Sequence, residues 1–136
     1  MKEQFTLTRR ERDCVVAIRE NGSTEFPIRL SEIAKIMGLK PPTVIEILKR
    51  LEYKGLVTRE KGMVVLTDSG KESYNYIVNC HRILETLFVE SGIDLEEACK
   101  EVSAFDYMIG SGSAMKLSTF VGRPKACPHG KPIIYG

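Results

Sequence analysis

Apolar side chains recur every three to four residues in several stretches of the chain, and turn-forming residues separate those stretches. From Thr8 to Asn21 the stripe is Cys14, Val15, Val16 and Ile18. Thr8-Arg9-Arg10-Glu11 has the form of a capping box, in which the Thr hydroxyl and the Glu carboxylate each satisfy a free backbone N–H. Asn21-Gly22 stops that helix, and Gly22 to Pro27 reads as a loop. A second helix, from Leu30 or Ser31 to Met37 with Ser31 as its cap, would bury Ile33, Ala34, Ile36 and Met37. Gly38-Leu39-Lys40 is a tight turn, and Pro41-Pro42 opens a third helix where first-turn N–H groups lack partners anyway. Its inward positions are Val44, Ile45, Ile47, Leu48 and Leu51, and Gly55 ends it.

The period then changes. Leu56–Arg59 and Met63–Leu66 are β-prone runs around Glu60-Lys61-Gly62, which predicts a hairpin. Thr67-Asp68-Ser69-Gly70 caps a long helix over about Ser69–Ser91, closed by Gly92. Two more helices are predicted over about Asp94–Ile109 and Ser113–Val121, with Tyr74, Tyr76, Phe88, Phe105 and Phe120 as packing residues. The Pro- and Gly-rich tail from Gly122 to Gly136 should lie extended on the surface. Helix, helix, Gly-turn, helix, hairpin is the order of a winged helix-turn-helix, so the fold expected is mainly α, with that module over 1–67 and an all-helical part over 68–136.

Composition adds bounds. In 136 residues, 43% are hydrophobic and 28% charged, enough for a packed core in one ordinary domain or two small ones. No apolar run reaches the roughly 18 residues of a membrane span. Met1-Lys2-Glu3-Gln4 leads into charged residues without an apolar leader, so a reducing cytoplasm is expected. Cys14, Cys80, Cys99 and Cys127 are then thiols or metal ligands, Cys14 and Cys80 reading as core fillers. The net charge of +2 conceals an asymmetry: residues 1–66 carry 13 basic against 9 acidic side chains, and residues 67–136 carry 7 against 9. A basic first half points to an anionic partner there.

In such a module the third helix, over 41–54, enters a major groove of double-stranded DNA, and the 56–66 wing touches the backbone beside it. Its outward residues are Lys40, Pro42, Thr43, Glu46, Lys49 and Arg50. Thr43 can meet a base edge or a thymine methyl, and Glu46 can accept from a cytosine amino group. Lys49 and Arg50, with Arg59 and Lys61 on the wing, suit phosphates. This modest charge calls for a dimer reading two half-sites of a palindrome.

The second half holds candidate metal ligands. His81 and Glu85 stand i, i+4 on one helix face. Cys99 lies on the next helix, with Ser103 and Asp106 at i+4 and i+7. Cys127 and His129 lie together in Cys-Pro-His-Gly. Imidazole, carboxylate and thiolate suit a divalent transition metal, with thiolate favouring zinc or iron over manganese. No nucleophile–base pair, phosphate loop or paired carboxylates occur, so neither an enzyme nor a small-molecule substrate is expected. The alternative is a thiol-sensing or metal-independent winged-helix regulator using Cys99 and Cys127.

Several stretches together resemble the diphtheria toxin repressor family of metal-dependent transcription regulators, with its iron and manganese branches: Leu30–Val44, Tyr53–Thr67, Leu66–Gly70, Cys80–Glu85, Gly92–Asp94 and Cys127–Ile133. The resemblance implies a winged helix, a helical dimerisation domain with two metal sites, and metal-promoted operator binding by a homodimer, in most cases as a repressor. It also implies a third β-barrel domain in many members, which is not expected here, since the sequence runs only to the Cys-Pro-His-Gly segment and the few residues after it. His81 and Glu85 match the ancillary-site His and Glu, and Cys99 falls where that site has another His. The primary site matches Ser103-Ala104-Phe105-Asp106-Tyr107, where its first ligand has become Ser and its final His has become Tyr. Asp13 falls at the family's N-terminal ligand. The set expected is therefore His81, Glu85, Cys99 and a fourth ligand from the tail, Cys127 ahead of His129, in a closed site suited to structural zinc.

Overall fold

The computed structural model describes residues 6–135, so the leader reading of Met1–Gln4 lies outside the described residues. The chain runs α1 (Arg9–Asn21), β1 (Ile28–Arg29), α2 (Leu30–Met37), α3 (Pro41–Tyr53), β2 (Val57–Glu60), β3 (Met63–Leu66), α4 (Asp68–Glu90), α5 (Leu95–Ser103) and α6 (Ser111–Phe120). It is mainly helical, with one small sheet, and forms two compact units that divide inside α4, between Asn75 and Tyr76.

In the first unit, α1, α2 and α3 pack together around Val15, Ile33, Ile47 and Leu48, all at most 1% exposed. The capping box at Thr8 forms as expected: Glu11 N donates to Thr8 Oγ1 at 3.2 Å, and Thr8 N donates to Glu11 Oε1 at 2.9 Å. Two expectations for α2 fail. Arg29, not Ser31, precedes the helix, without a side-chain cap. Ile36 is 49% exposed, because the eight-residue helix buries only Ile33 and Ala34 fully against its neighbours.

The hairpin forms with Val57 opposite Leu66 and Glu60 opposite Met63. Its two-residue loop, Lys61-Gly62, has φ of 51° and 79°. Positive φ at both positions matches the right-handed twist of the strands, and Gly62 adopts it without a Cβ penalty. The sheet has a third strand that the pattern did not predict. β1 is only two residues long and is held by pairing with β3 (Ile28 opposite Val64), so the order is β1-β3-β2. Thr67 caps α4 as expected, accepting from Gly70 N at 3.1 Å while donating to the Gly55 carbonyl at 2.6 Å.

The second unit packs Cys80 and Leu84 of α4 against Val102 of α5 and Ala114 of α6, with Phe88 and Phe105 6.0 Å apart at its edge. Phe120 departs from the packing role expected of it: the end of α6 leaves it 80% exposed. α5 stops at Ser103 rather than Ile109. After it the N–H groups of Ala104 and Phe105 bond three residues back, which tightens the chain into turns. The tail is not extended. An antiparallel bridge between Ala126 and Pro132 folds it back, and Gly130 N donates to the Cys127 carbonyl at 2.8 Å across the turn. Asn79 of α4 pairs with both backbone groups of Ile134, and Arg82 Nη1 donates to the Pro132 carbonyl at 2.6 Å. Cys127 and Ile133 are buried by this docking.

Candidate metal centre and nucleic-acid interface

His81 and Glu85 lie one turn apart on α4, and Glu85 is 1% exposed. His81 Nε2 is 3.1 Å from Glu85 Oε2, and Cys99 Sγ of α5 is 3.6 Å from the same nitrogen. The tail turn brings His129 Nδ1 within 2.7 Å of Glu85 Oε1. Donor atoms of His81, Glu85 and Cys99 lie within 4.8 Å of one another, as do those of Glu85, Cys127 and His129. These residues fit a metal chemically. Two imidazoles, two thiols and a buried carboxylate converge where a carboxylate charge would otherwise cost several kcal/mol.

The remaining sequence candidates stand elsewhere. Asp106 lies beyond the end of α5, and its Oδ2 is 2.9 Å from His81 Nδ1, on the ring edge away from Cys99. A proton on Nδ1 satisfies Asp106 and leaves the Nε2 lone pair facing Glu85 and Cys99. Asp106 therefore orients His81. Ser103 donates its hydroxyl to the Cys99 carbonyl at 2.8 Å. Asp13 belongs to the other unit, where Arg9 and Arg12 approach it at 3.2 and 3.0 Å. His129, ranked below Cys127 from sequence, makes the shortest contact to Glu85.

The cysteines separate by environment. Burial, with Asp13 and Glu11 nearby, pushes the Cys14 thiol up to about 12, and burial, with Asp106 nearby, does the same for Cys80. Both are core thiols, as their positions predicted. Cys99 is also held above its ordinary value, first by burial and then by Glu85.

On the first unit, Lys40, Pro42, Glu46, Lys49 and Lys61 are exposed and Thr43 is half-exposed. Glu46 and Lys49 pair along α3 at 3.7 Å, a solvated contact of small energetic weight. Arg50 and Arg59 are engaged within the protein. Arg59 lies 2.6 Å from Glu52, and Arg50 lies 3.2 Å from Glu11 on α1. Glu11 also receives Lys54 at 2.6 Å. Local reading missed this three-residue cluster. The capping box disclosed Glu11's first bond, but nothing in the local pattern discloses a partner 39 residues away.

A winged helix-turn-helix followed by a helical unit with a His, Cys and Glu cluster defines the class of helix-turn-helix regulators with an attached metal-type centre. Residues 67–135, half of the chain, match the iron dependent repressor, metal binding and dimerisation domain, and residues 7–62 match the MarR family. The chain belongs to the iron dependent repressor family, a family of transcription regulators and not of enzymes. A hypothetical protein from Sulfolobus solfataricus is similar with a TM-score of 0.81 at 34% identity, over 95% of this chain and 100% of that one. A manganese-dependent transcriptional repressor solved with manganese is similar with a TM-score of 0.77 at 27% identity, over 93% of this chain and 59% of its own. An uncharacterized helix-turn-helix-type transcriptional regulator from Aeropyrum pernix is 33% identical over 107 residues, 78% of this chain. This chain spans 59% of the length of that relative. Among the described residues no helix is long and apolar enough to cross a membrane.

Proposed function

We propose that the protein is a homodimeric, metal-binding transcription regulator, acting as a repressor, that reads a palindromic operator with α3 and the β2–β3 wing. The observation that supports this best is the convergence of His81, Cys99, Cys127 and His129 on the buried carboxylate of Glu85, in a chain that also carries a reading head. Lys40, Thr43, Lys49 and Lys61 are the side chains offered to DNA. A divalent transition metal, zinc or iron by thiolate preference and manganese by analogy with the similar repressor, would supply a cross-link between α4, α5 and the tail. The protein's own part is to orient His81 through Asp106 and to hold the tail turn through Asn79 and Arg82. Met108, Met115 and Phe120, at 66%, 47% and 80% exposure, offer apolar surface for a second copy. The thiol-sensing alternative draws no support from Cys99, whose raised pKa disfavours the reactive thiolate.

Titrating metal into the metal-free protein with a pool of random duplexes, followed by selection and sequencing, tests this reading. Metal-dependent enrichment of palindromes by a species of twice the 15.3 kDa chain mass is expected. Equal DNA binding with and without metal, or enrichment of no sequence, would overturn it.

A further inference from the structure

The first unit holds a cleft of about 310 Å³, formed by the end of α1, the loop after it, β3 and the first turn of α4. None of its lining residues belongs to α3 or to the metal cluster. Its floor is apolar: Ile18, Val64 and Leu66 line it and are buried. Its rim carries hydrogen-bond donors. Arg19, Ser23 and Thr24 are exposed there, and Lys71 is half-buried.

The two cations of the rim are not matched by a carboxylate. The Arg19 guanidinium lies 5.9 Å from the centre of the Tyr74 ring, and Lys71 Nζ reaches Thr24 Oγ1 only at 3.5 Å. Among the described residues neither cation forms an ion pair, although Glu25 lines the same cleft. The loop wall is built before any ligand arrives. Ser23 N donates to the Phe26 carbonyl at 3.0 Å, and Ser23 Oγ accepts from Phe26 N at 3.0 Å, which closes the loop into a turn. The Ser23 hydroxyl hydrogen can still donate outward.

We propose that this cleft binds a small organic monocarboxylate with an apolar body. The carboxylate would take the donors of the rim, and the hydrocarbon would cover Ile18, Val64 and Leu66. An inorganic anion would leave the floor uncovered, and a neutral hydrocarbon would leave the cations unmatched. Two cations against Glu25 leave one net positive charge, which a monoanion balances. The volume lies near the lower end of the roughly 300–1,000 Å³ usual for ligand pockets, which sets the size at a single ring or a short chain. A bound ligand would touch Val64 and Val65 of β3, the central strand of the sheet that carries the wing. The site requires no metal, so it is independent of the metal-binding reading.

Hexanoate and benzoate, a chain and a ring, are the probes, with hexanamide and acetate as controls. Each is titrated into the isotope-labelled full-length chain and followed by NMR. Saturable shifts at one ligand per chain are expected for at least one of the two probes. A Kd on the order of 0.1–1 mM is expected, as suits a ligand of about eight or nine heavy atoms in an open cleft. The shifts should gather at residues 18–25, 64–66 and 71. Hexanamide, which lacks the charge, and acetate, which lacks the apolar body, should bind about 10-fold more weakly or worse. Arg19→Gln and Lys71→Gln should each weaken binding by about 10-fold or more. Absence of saturable shifts with both probes in the wild type overturns the proposal. So do shifts centred elsewhere, equal affinity for hexanamide or acetate, or undiminished binding by both Gln variants. The wild-type titrations decide the matter should a variant fail to fold.

Discussion

Arg50 of the recognition helix lies 3.2 Å from Glu11, a carboxylate on α1 with no solvent exposure. Lys54 approaches the other oxygen at 2.6 Å. Burial opposes the charge of Glu11, but Lys54, the Thr8 N–H and Arg50 together more than offset it, and its pKa lies below the ordinary 4.5. The pair therefore fixes α3 against α1. Glu11→Gln should lower the stability of the first unit by about 2–3 kcal/mol, the range for hydrogen bonds to charged groups whose partners are then left without them. Because the folded pKa is depressed, the contribution is complete above about pH 4.5 and is lost as pH falls through the lowered value. Urea denaturation of wild type and variant between neutral pH and pH 3 checks this: the difference between them should shrink on the acid side.

The same pairing sorts the basic residues of the reading head. Lys49 is exposed beyond its weak contact to Glu46, whereas the Arg50 charge is already compensated by Glu11. Lys49→Ala should weaken binding to all duplexes alike and reduce the dependence of log Kd on log salt by about one unit. Arg50→Ala should change that slope less and lower thermal stability more. Thr43→Val should leave the slope unchanged and alter sequence preference. Fluorescence anisotropy across a salt series separates the three.

The sequence disclosed what local rules control. Caps at Thr8 and Thr67, the Lys61-Gly62 turn and the i, i+4 pair His81 and Glu85 all formed as their spacing required. What it concealed is set by contacts distant along the chain. β1 is a strand because Ile28 faces Val64, and two residues carry no period of their own. Asp106 shares a helical period with Cys99, but the helix ends first, so Asp106 reaches the opposite edge of His81. The tail has loop composition, yet Asn79 and Arg82 supply the partners that fold it onto α4.

Gly70 in the first turn of α4 marks a close approach of backbones. A Cβ built there would lie 2.1 Å from the Leu56 carbonyl oxygen, the same oxygen that accepts from Thr67 N at 3.0 Å. The two nearest atoms, the Leu56 carbonyl oxygen and carbon, are backbone, so relief requires α4 to shift away from Leu56. Gly70→Ala should cost roughly 2–3 kcal/mol, visible as a lower midpoint in thermal unfolding. A variant as stable as the wild type would show that α4 can move at this point without loss.

Asp106 offers the most selective test of how the centre is supported. Its Oδ2 meets His81 at Nδ1, the nitrogen turned away from Glu85 and Cys99, so it reaches the donor nitrogen through the ring. As a carboxylate it fixes the tautomer with the proton on Nδ1 and makes Nε2 a better donor. Asp106→Asn keeps the size and the hydrogen bond but removes the charge, so the fold should hold. Zinc or cobalt affinity should then fall by about 10–100-fold, the range for loss of such a supporting carboxylate. Isothermal titration of wild type, Asp106→Asn and His81→Ala gives the comparison. An affinity unchanged in Asp106→Asn but reduced in His81→Ala would show that Glu85 and Cys99 alone orient the ring.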